Sequence, residues 1–251
     1  KLPLSDGGEG LVACMIAATG GTTYHTTVTG PMEEKLTASW GILGDRKTAV
    51  IEMATASGLL LVAPGQNDPR VATSYGTGEL IKAALDAGCT KIILGLGGSA
   101  TNDGGSGMAQ ALGVKFLNKE NEELPLGGLA LLDLARIYYS HIDPRIKKIE
   151  IQAACDVDNP LIGPKGASQI YGPQKGADQE TVTILDKALA NYANIIKRDL
   201  GIKISAMPGA GAAGGLGAGV VTFLNGSLSS GIDLVIQSVG LEAHLRECDL
   251  V

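Results

Sequence analysis

The sequence predicts an α/β fold built on a mixed sheet, and three observations carry that prediction. Three strand-like runs separated by turn residues lie near the N-terminus, the pattern of an antiparallel meander. From Gly76 to Gly105 a helix-period segment, an apolar strand and a glycine-rich loop follow one another, the order of an αβ crossover. A second apolar strand, Glu150 to Ala154, runs into another loop and then a long amphipathic helix. The 251 residues, 45% of them hydrophobic, can bury a sizeable core and are read as a single α/β domain over 1–251.

The elements follow in order. Asp6-Gly-Gly-Glu9 has the spacing of a capping box, which predicts a helix to about Ala18 that Gly20-Gly21 ends. Strands are expected over Thr22 to Thr29, Lys35 to Leu43 and Thr48 to Met53, with Gly30-Pro31 and Gly44-Asp45 at the turns. Leu80, Ile81, Ala84 and Leu85 recur at helical spacing, Gly88 closes that helix, and Lys91 to Leu94 is a buried strand. After the first glycine loop come a short helix over Ser106 to Leu112, a stop at Gly113 and a strand at Val114 to Phe116, expected to complete the crossover. Val182, Leu185, Leu189, Tyr192, Ile196 and Leu200 line one face of the long helix, which Gly201 stops. A second glycine cluster opens a helix over Gly214 to Leu224, and further helical segments cover Ile232 to Leu245.

Composition narrows the function classes. A net charge of -6, without a Lys/Arg stripe or interleaved aromatics, gives no footprint for nucleic acid. An acidic protein that binds anions needs local cations, helix N-termini or a divalent metal to cancel repulsion, so a metal is expected. The four cysteines show no paired spacing, which excludes a C-x-x-C zinc site and a dense disulfide framework. No apolar run approaches the roughly 18 residues of a membrane helix, and no signal-peptide pattern precedes Lys1, so no membrane partner and a cytoplasmic location are expected. Lys1 is not an initiator methionine and an apolar run is starting at Asp249-Leu-Val251, so the expectation is a piece of a longer polypeptide. Nothing indicates an oligomeric state.

The candidate chemistry sits in the glycine clusters and one acidic loop. Gly95-Leu-Gly-Gly-Ser-Ala-Thr-Asn-Asp-Gly-Gly105 follows a strand, and such a loop lets backbone amides converge on an anion. Gly97, Gly98, Ser99, Thr101, Asn102 and Gly104 are the candidate phosphate contacts, and Asp103 a candidate catalytic or Mg²⁺-binding carboxylate. The competing reading is a tight strand-to-helix turn capped by Asn102 or Asp103. The loop matches a dinucleotide fingerprint in outline, yet Val114 to Asn118 offers no acidic residue for a ribose, which weakens a nicotinamide oxidoreductase. Gly209, Gly211 and Gly214 repeat a G-x-G-x-x-G spacing and serve equally well as phosphate contacts or as small residues for close packing.

Asp156 and Asp158 follow the Glu150 to Ala154 strand, where α/β proteins gather ligands; Asp156, nearer the strand, is favoured to hold Mg²⁺ or engage a hydroxyl nucleophile. An Asx-turn is the structural alternative. Of the loop cations Arg70, Lys165 and Lys175, Lys175 is preferred because glycines flank its segment. Asp6 and Glu9 are secondary candidates that helix capping explains as well. The three histidines share no metal spacing, so zinc and hydrolase chemistry fall away.

These residues resemble the type I bacterial glycerate kinase family. The similar stretches are Leu4-Ser-Asp-Gly-Gly-Glu-Gly10, Thr73-Ser-Tyr-Gly-Thr-Gly-Glu-Leu80, the 95–105 loop, Ala154-Cys-Asp-Val-Asp-Asn-Pro-Leu161, Tyr171-Gly-Pro-Gln-Lys-Gly-Ala177 and Pro208-Gly-Ala-Gly-Ala-Ala-Gly-Gly215, in the family's order. The resemblance implies ATP-dependent phosphorylation of D-glycerate to 2-phosphoglycerate, Mg²⁺, and a two-domain α/β kinase of which this chain is one part. The family's opening strand and its Gly-Glu-Gly-Arg loop have no counterpart in this sequence, Ser5 stands where Ala is frequent, and Arg70 where Leu is usual. A kinase of another small hydroxy acid and a nicotinamide-dependent oxidoreductase are the alternatives.

Overall fold

The structure, a computed structural model, describes residues 10–246. Its elements in chain order are α1 (Leu11–Thr19), β1 (Thr22–Thr29), β2 (Lys35–Ile42), β3 (Thr48–Glu52), α2 (Ala54–Ser57), α3 (Tyr75–Asp86), β4 (Lys91–Gly95), α4 (Ser106–Ala111), β5 (Lys115–Leu117), β6 (Arg136–Tyr138), β7 (Glu150–Ala154), α5 (Ala167–Tyr171), α6 (Gln179–Leu200), α7 (Ala212–Leu224), β8 (Ser227–Ser229), α8 (Gly231–Val239) and α9 (Leu241–Arg246). Among the described residues no helix is long and apolar enough to cross a membrane.

The main sheet runs β1-β2-β3-β4-β7-β8. The expected meander is present: β1 pairs antiparallel with β2, from Thr22 opposite Ile42 to Thr29 opposite Lys35, and β2 pairs antiparallel with β3. From β3 onward the neighbours are parallel, so the sheet is mixed. Its central strands are covered on both faces, which is why β3 and β4 read as continuous apolar runs. Ala49, Ile51, Ile92, Leu94, Ile151 and Ala153 point into the larger core with α3, α4, α6 and α7. Val50, Ile93 and Ala154 point the other way, against Leu11, Val12 and Met15 of α1 and Leu234, Val235 and Val239 of α8. The alternation of side chains along each strand thus sorts the helices into two layers.

The helix caps show how the sequence sets its boundaries. α6 starts at Asp178, whose carboxylate accepts from the Thr181 amide at 2.8 Å, and stops at Gly201 with φ +76. The first turn of α1 is held from a distance: Glu52, at the end of β3, accepts from the Val12 amide at 2.7 Å and the Gly10 amide at 3.3 Å. The capping box at Asp6 and Glu9 lies outside the described residues.

One expectation fails. The strand after α4 does not return to the sheet as a crossover; β5 pairs antiparallel with β6 in a separate two-stranded ribbon, and the strand beside β4 is β7. Helix α4 has 6 residues and rises about 9 Å, too little to carry the chain back along a strand of about 16 Å. Gly113, at φ +100, turns the chain instead against the His141 carbonyl. Strands β6 and β8 have three residues each and gave no periodic signal in the sequence.

Candidate functional site

Parallel strands β4 and β7 end side by side, Gly95 opposite Ala154, and their following loops open a cleft of about 410 Å³ at the carboxyl end of the sheet. The floor is Gly97, Gly98 and Ser99. Gly98 adopts φ +73, a left-handed conformation that glycine takes without strain. The segment is clamped from behind by a short bridge to the chain after α2: the Leu59 amide donates to the Gly98 carbonyl at 2.8 Å and the Ala100 amide to the Ser57 carbonyl at 3.0 Å. Among the described residues the amides of Gly97, Gly98 and Ser99 have no hydrogen-bond partner, and all three residues line the cleft.

Lys175 enters beneath this floor. It ends a single helical turn, Pro173–Lys175, and the next residue, Gly176, takes φ +95 against the Asn67 carbonyl, so a side chain there has no room. The lysine is 1% exposed, and its Nζ donates to Ser99 Oγ and to the Thr101 carbonyl, both at 2.7 Å. Two of its three N–H donors are thereby used. Burial pulls the ammonium down to about 7, and the charge of Asp103 opposes that fall. Asp156 faces the same cleft from the end of β7; its Oδ1 accepts from the Gly231 amide at the start of α8, at 2.9 Å.

The second half of the loop lies under the floor. Thr101, Asn102 and Asp103 are each 0% exposed and do not line the cleft. Asn102 Nδ2 donates to Ser168 Oγ at 2.9 Å. Asp103 Oδ2 accepts from the Ser74 amide and hydroxyl, both at 2.8 Å, and from the Gly107 amide at 3.3 Å; Oδ1 accepts from Gly105 at 3.1 Å. Burial pushes this carboxyl up while those four donors hold it down. Gly104 has φ +64 under the Tyr192 ring, whose hydroxyl donates to the Gly104 carbonyl at 2.8 Å.

The two glycine clusters meet each other. Ala213, Gly214 and Gly215 form a left-handed turn inside α7, with φ of 52, 66 and 93. The Gly104 amide donates to the Gly214 carbonyl at 3.0 Å, and a Cβ on Gly214 would overlap the Thr101 carbonyl. Gly209 abuts Leu228 and Gly211 abuts the Pro160 carbonyl. None of Gly209, Gly211 and Gly214 lines the cleft; Ala212 and Ala213 do. Arg70 makes a two-pronged contact with Asp68, at 2.9 and 2.8 Å, in a separate polar pocket, and Lys165 is exposed.

Tyr171 and Gln174 also line the cleft, inside the Tyr171-to-Ala177 stretch that drew attention through Lys175. Leu59 lines it too, from an apolar run that carried no signal. Among the described residues no three His, Cys, Asp or Glu side chains gather as a metal cage. Asp156 fits Mg²⁺ in the other common mode, in which one or two carboxylates share the ion with substrate phosphates and water. Asp103, enclosed and fully bonded, does not face a ligand space.

Residues 1–251 match the model of the glycerate kinase family. The glycerate 2-kinase of Escherichia coli (strain K12) is 54% identical over 251 residues, 100% of this chain and 66% of that protein. The glycerate kinase of Bacillus subtilis (strain 168) is 49% identical with the same coverage. The crystal structure of putative glycerate kinase 2 from Salmonella typhimurium LT2 superposes with a TM-score of 0.98 at 50% identity, over 100% of this chain and 67% of that one. The chain spans about two thirds, 66%, of the length of the curated relatives it matches.

Proposed function

Since the chain belongs to the glycerate kinase family, we propose that it catalyses transfer of the γ-phosphoryl group of ATP to D-glycerate, giving 2-phosphoglycerate, as a cytoplasmic enzyme with no nucleic-acid or membrane partner. One observation supports the placement of the chemistry: three amides with no partner among the described residues, Gly97 to Ser99, belong to residues that line the cleft beside a buried lysine at the open end of the sheet. Unpartnered N–H groups with a cation behind them match the charge of phosphate oxygens, in a chain whose net charge of -6 otherwise repels them.

In this reading the Gly97–Ser99 amides hold phosphoryl oxygens and Lys175 supplies positive charge through the Ser99 hydroxyl and its remaining donor. Asp156 orients the attacking hydroxyl or holds Mg²⁺. Mg²⁺, when bound with the nucleotide, neutralises charge on the transferring phosphoryl group. The protein's own contribution is positioning and fixed electrostatics, the expected form of catalysis for phosphoryl transfer. Thr101, Asn102, Asp103, Gly104, Gly209, Gly211 and Gly214 act through the shape of the floor. The oxidoreductase alternative is not supported, because the strand after α4, which would carry the ribose-binding carboxylate, lies outside the main sheet.

The test is coupled ADP release by the full-length protein with D-glycerate, lactate or tartronate, and ³¹P NMR of the product. Release that requires D-glycerate, with phosphate on the 2-hydroxyl, is expected, as is a loss of 100-fold or more in kcat for Asp156→Asn on the order typical of a lost transition-state contact. ADP release independent of the acid supplied would remove the substrate assignment.

A further inference from the structure

We propose that the chain carries a second small-molecule site, apart from the cleft, which takes a small aromatic carboxylate bearing a hydroxyl group. The site is a cavity of about 380 Å³ between the ends of α6 and α7, Tyr139 just after β6, and the helical turn Pro144–Lys148. It shares no lining residue with the cleft: Ala212 and Ala213 at the start of α7 line the cleft, whereas Val221 and Thr222 near its end line this cavity.

The cavity has the make-up of a ligand pocket, apolar walls with a few polar groups that fix orientation. Leu200 and Ile202, at and just beyond the end of α6, and Val221 of α7 supply apolar wall, and the Tyr139 ring supplies another side. That ring is held in place because its hydroxyl donates to the Phe223 carbonyl at 3.0 Å. Lys147 brings Nζ to 5.9 Å from the ring centre, so a cation stands at the same wall. Thr222 is 6% exposed, and its Oγ1 has no hydrogen-bond partner. A helical threonine ordinarily gives this hydroxyl to the carbonyl one turn back or to water. Left unpaired and buried it is costly, and a ligand atom that bonds it recovers that cost. Threonine in a helix divides between two χ1 rotamers, so Oγ1 can turn toward the cavity that the side chain borders.

The charge around the cavity favours an anion, in a chain whose net charge is -6. Lys148 follows Lys147, Lys203 follows Ile202, and Lys197 lies one turn before Leu200; among the described residues none of these four lysines joins an ion pair. Their acidic neighbour Asp199 is held by Arg198 at 2.6 Å. Two helix C-termini meet here and would oppose an anion, but their carbonyls are already served. The Val220 carbonyl accepts from the Asn225 and Gly226 amides, the Lys197 carbonyl from Gly201, and the Phe223 carbonyl from Tyr139. A carboxylate at Lys147, an aromatic body against Leu200, Ile202 and Val221, and a hydroxyl at Thr222 use each of these features.

The probe is 4-hydroxyphenylacetate, titrated at low salt into the full-length protein and followed by amide ¹H–¹⁵N shifts. Saturable binding at millimolar concentration or below is expected, with the largest shifts on Ile202, Val221 and Thr222. Phenylacetate, which lacks the hydroxyl, and 4-hydroxyphenylacetamide, which lacks the charge, should each bind about fivefold more weakly. Lys147→Met should weaken both carboxylates by about the same factor and leave the amide unchanged, and Thr222→Val should bring 4-hydroxyphenylacetate down to the level of phenylacetate. Shifts that fall on Gly97–Ser99 instead, shifts that fail to saturate at millimolar probe, or affinities that ignore both substitutions overturn the proposal. Each of these outcomes leaves the kinase reading intact, since ADP release with D-glycerate tests that reading separately.

Discussion

Replacing Lys175 by Met should reverse the sign of its effect on stability between acid and alkaline pH. The ordinary lysine value of 10.5 falls to about 7 in the folded protein, chiefly through burial. That fall corresponds to a penalty on the order of 5 kcal/mol that the folded state carries while the amine is charged. The folded value lies below the unfolded one, so between pH 7 and 10.5 the unfolded chain binds the extra proton. The penalty is therefore complete below pH 7 and is relieved as pH climbs toward 10.5. Met fills similar volume without charge, but it leaves Ser99 Oγ and the buried Thr101 carbonyl without their donor, which costs about 1–3 kcal/mol at any pH. At pH 6 the variant should be about 2–4 kcal/mol more stable than wild type, and at pH 10, where roughly 1 kcal/mol of the penalty persists, about 0–2 kcal/mol less stable. Urea unfolding of both proteins from pH 6 to pH 10 measures this, because titrating groups not coupled to Lys175 cancel in the difference. The same variant should lose at least about 100-fold in ADP release at pH 7. A stability difference that stays flat across the range would refute the buried-cation reasoning.

Three further perturbations test the framework around the cleft. Gly214→Ala puts a Cβ at φ +66 onto the Thr101 carbonyl and should cost about 3 kcal/mol or more, whereas Gly20→Ala, at φ +67 with open space around it, should cost about 1 kcal/mol; urea midpoints separate the two. Tyr192→Phe removes the bond to the Gly104 carbonyl and should cost about 1–2 kcal/mol, seen as a lowered Tm. Glu52→Ala frees the Gly10 and Val12 amides at the start of α1 and should cost about 1–3 kcal/mol, with faster amide exchange confined to the first turn of that helix.

Much of the architecture was legible because local signals and tertiary demand agree. Strand Glu150–Ala154 and helix α6 with its stop at Gly201 follow from pattern and capping alone, whereas the Asp178 cap shows only in the structure. β5 misled because a three-residue apolar run has no direction; only its pairing with β6 sets where it goes. At the site, Lys175 and Asp156 could be singled out from their loops, and both reach the cleft. Glycine, however, has two physical uses with one sequence signature. At Gly97 and Gly98 it lines the open cleft, while at Gly104, Gly209, Gly211 and Gly214 it lets chain segments touch. The choice between them depends on which segment packs behind each residue, as with the Thr101 carbonyl against Gly214, more than a hundred positions away. Leu59 reaches the cleft for the same non-local reason, through the bridge between Gly58 and Ser99.

In the proposed function the Gly97–Ser99 amides, backed by Lys175, grip phosphoryl oxygens. Amide ¹H–¹⁵N shift mapping of the full-length protein, titrated with Mg·ADP and with 2-phosphoglycerate, reads those contacts residue by residue. The largest shifts should fall on Gly97, Gly98 and Ser99 for at least one of the two ligands and vanish in Lys175→Met. Shifts confined to the polar pocket around Asn67 and Arg70, with 97–99 unmoved, would contradict it.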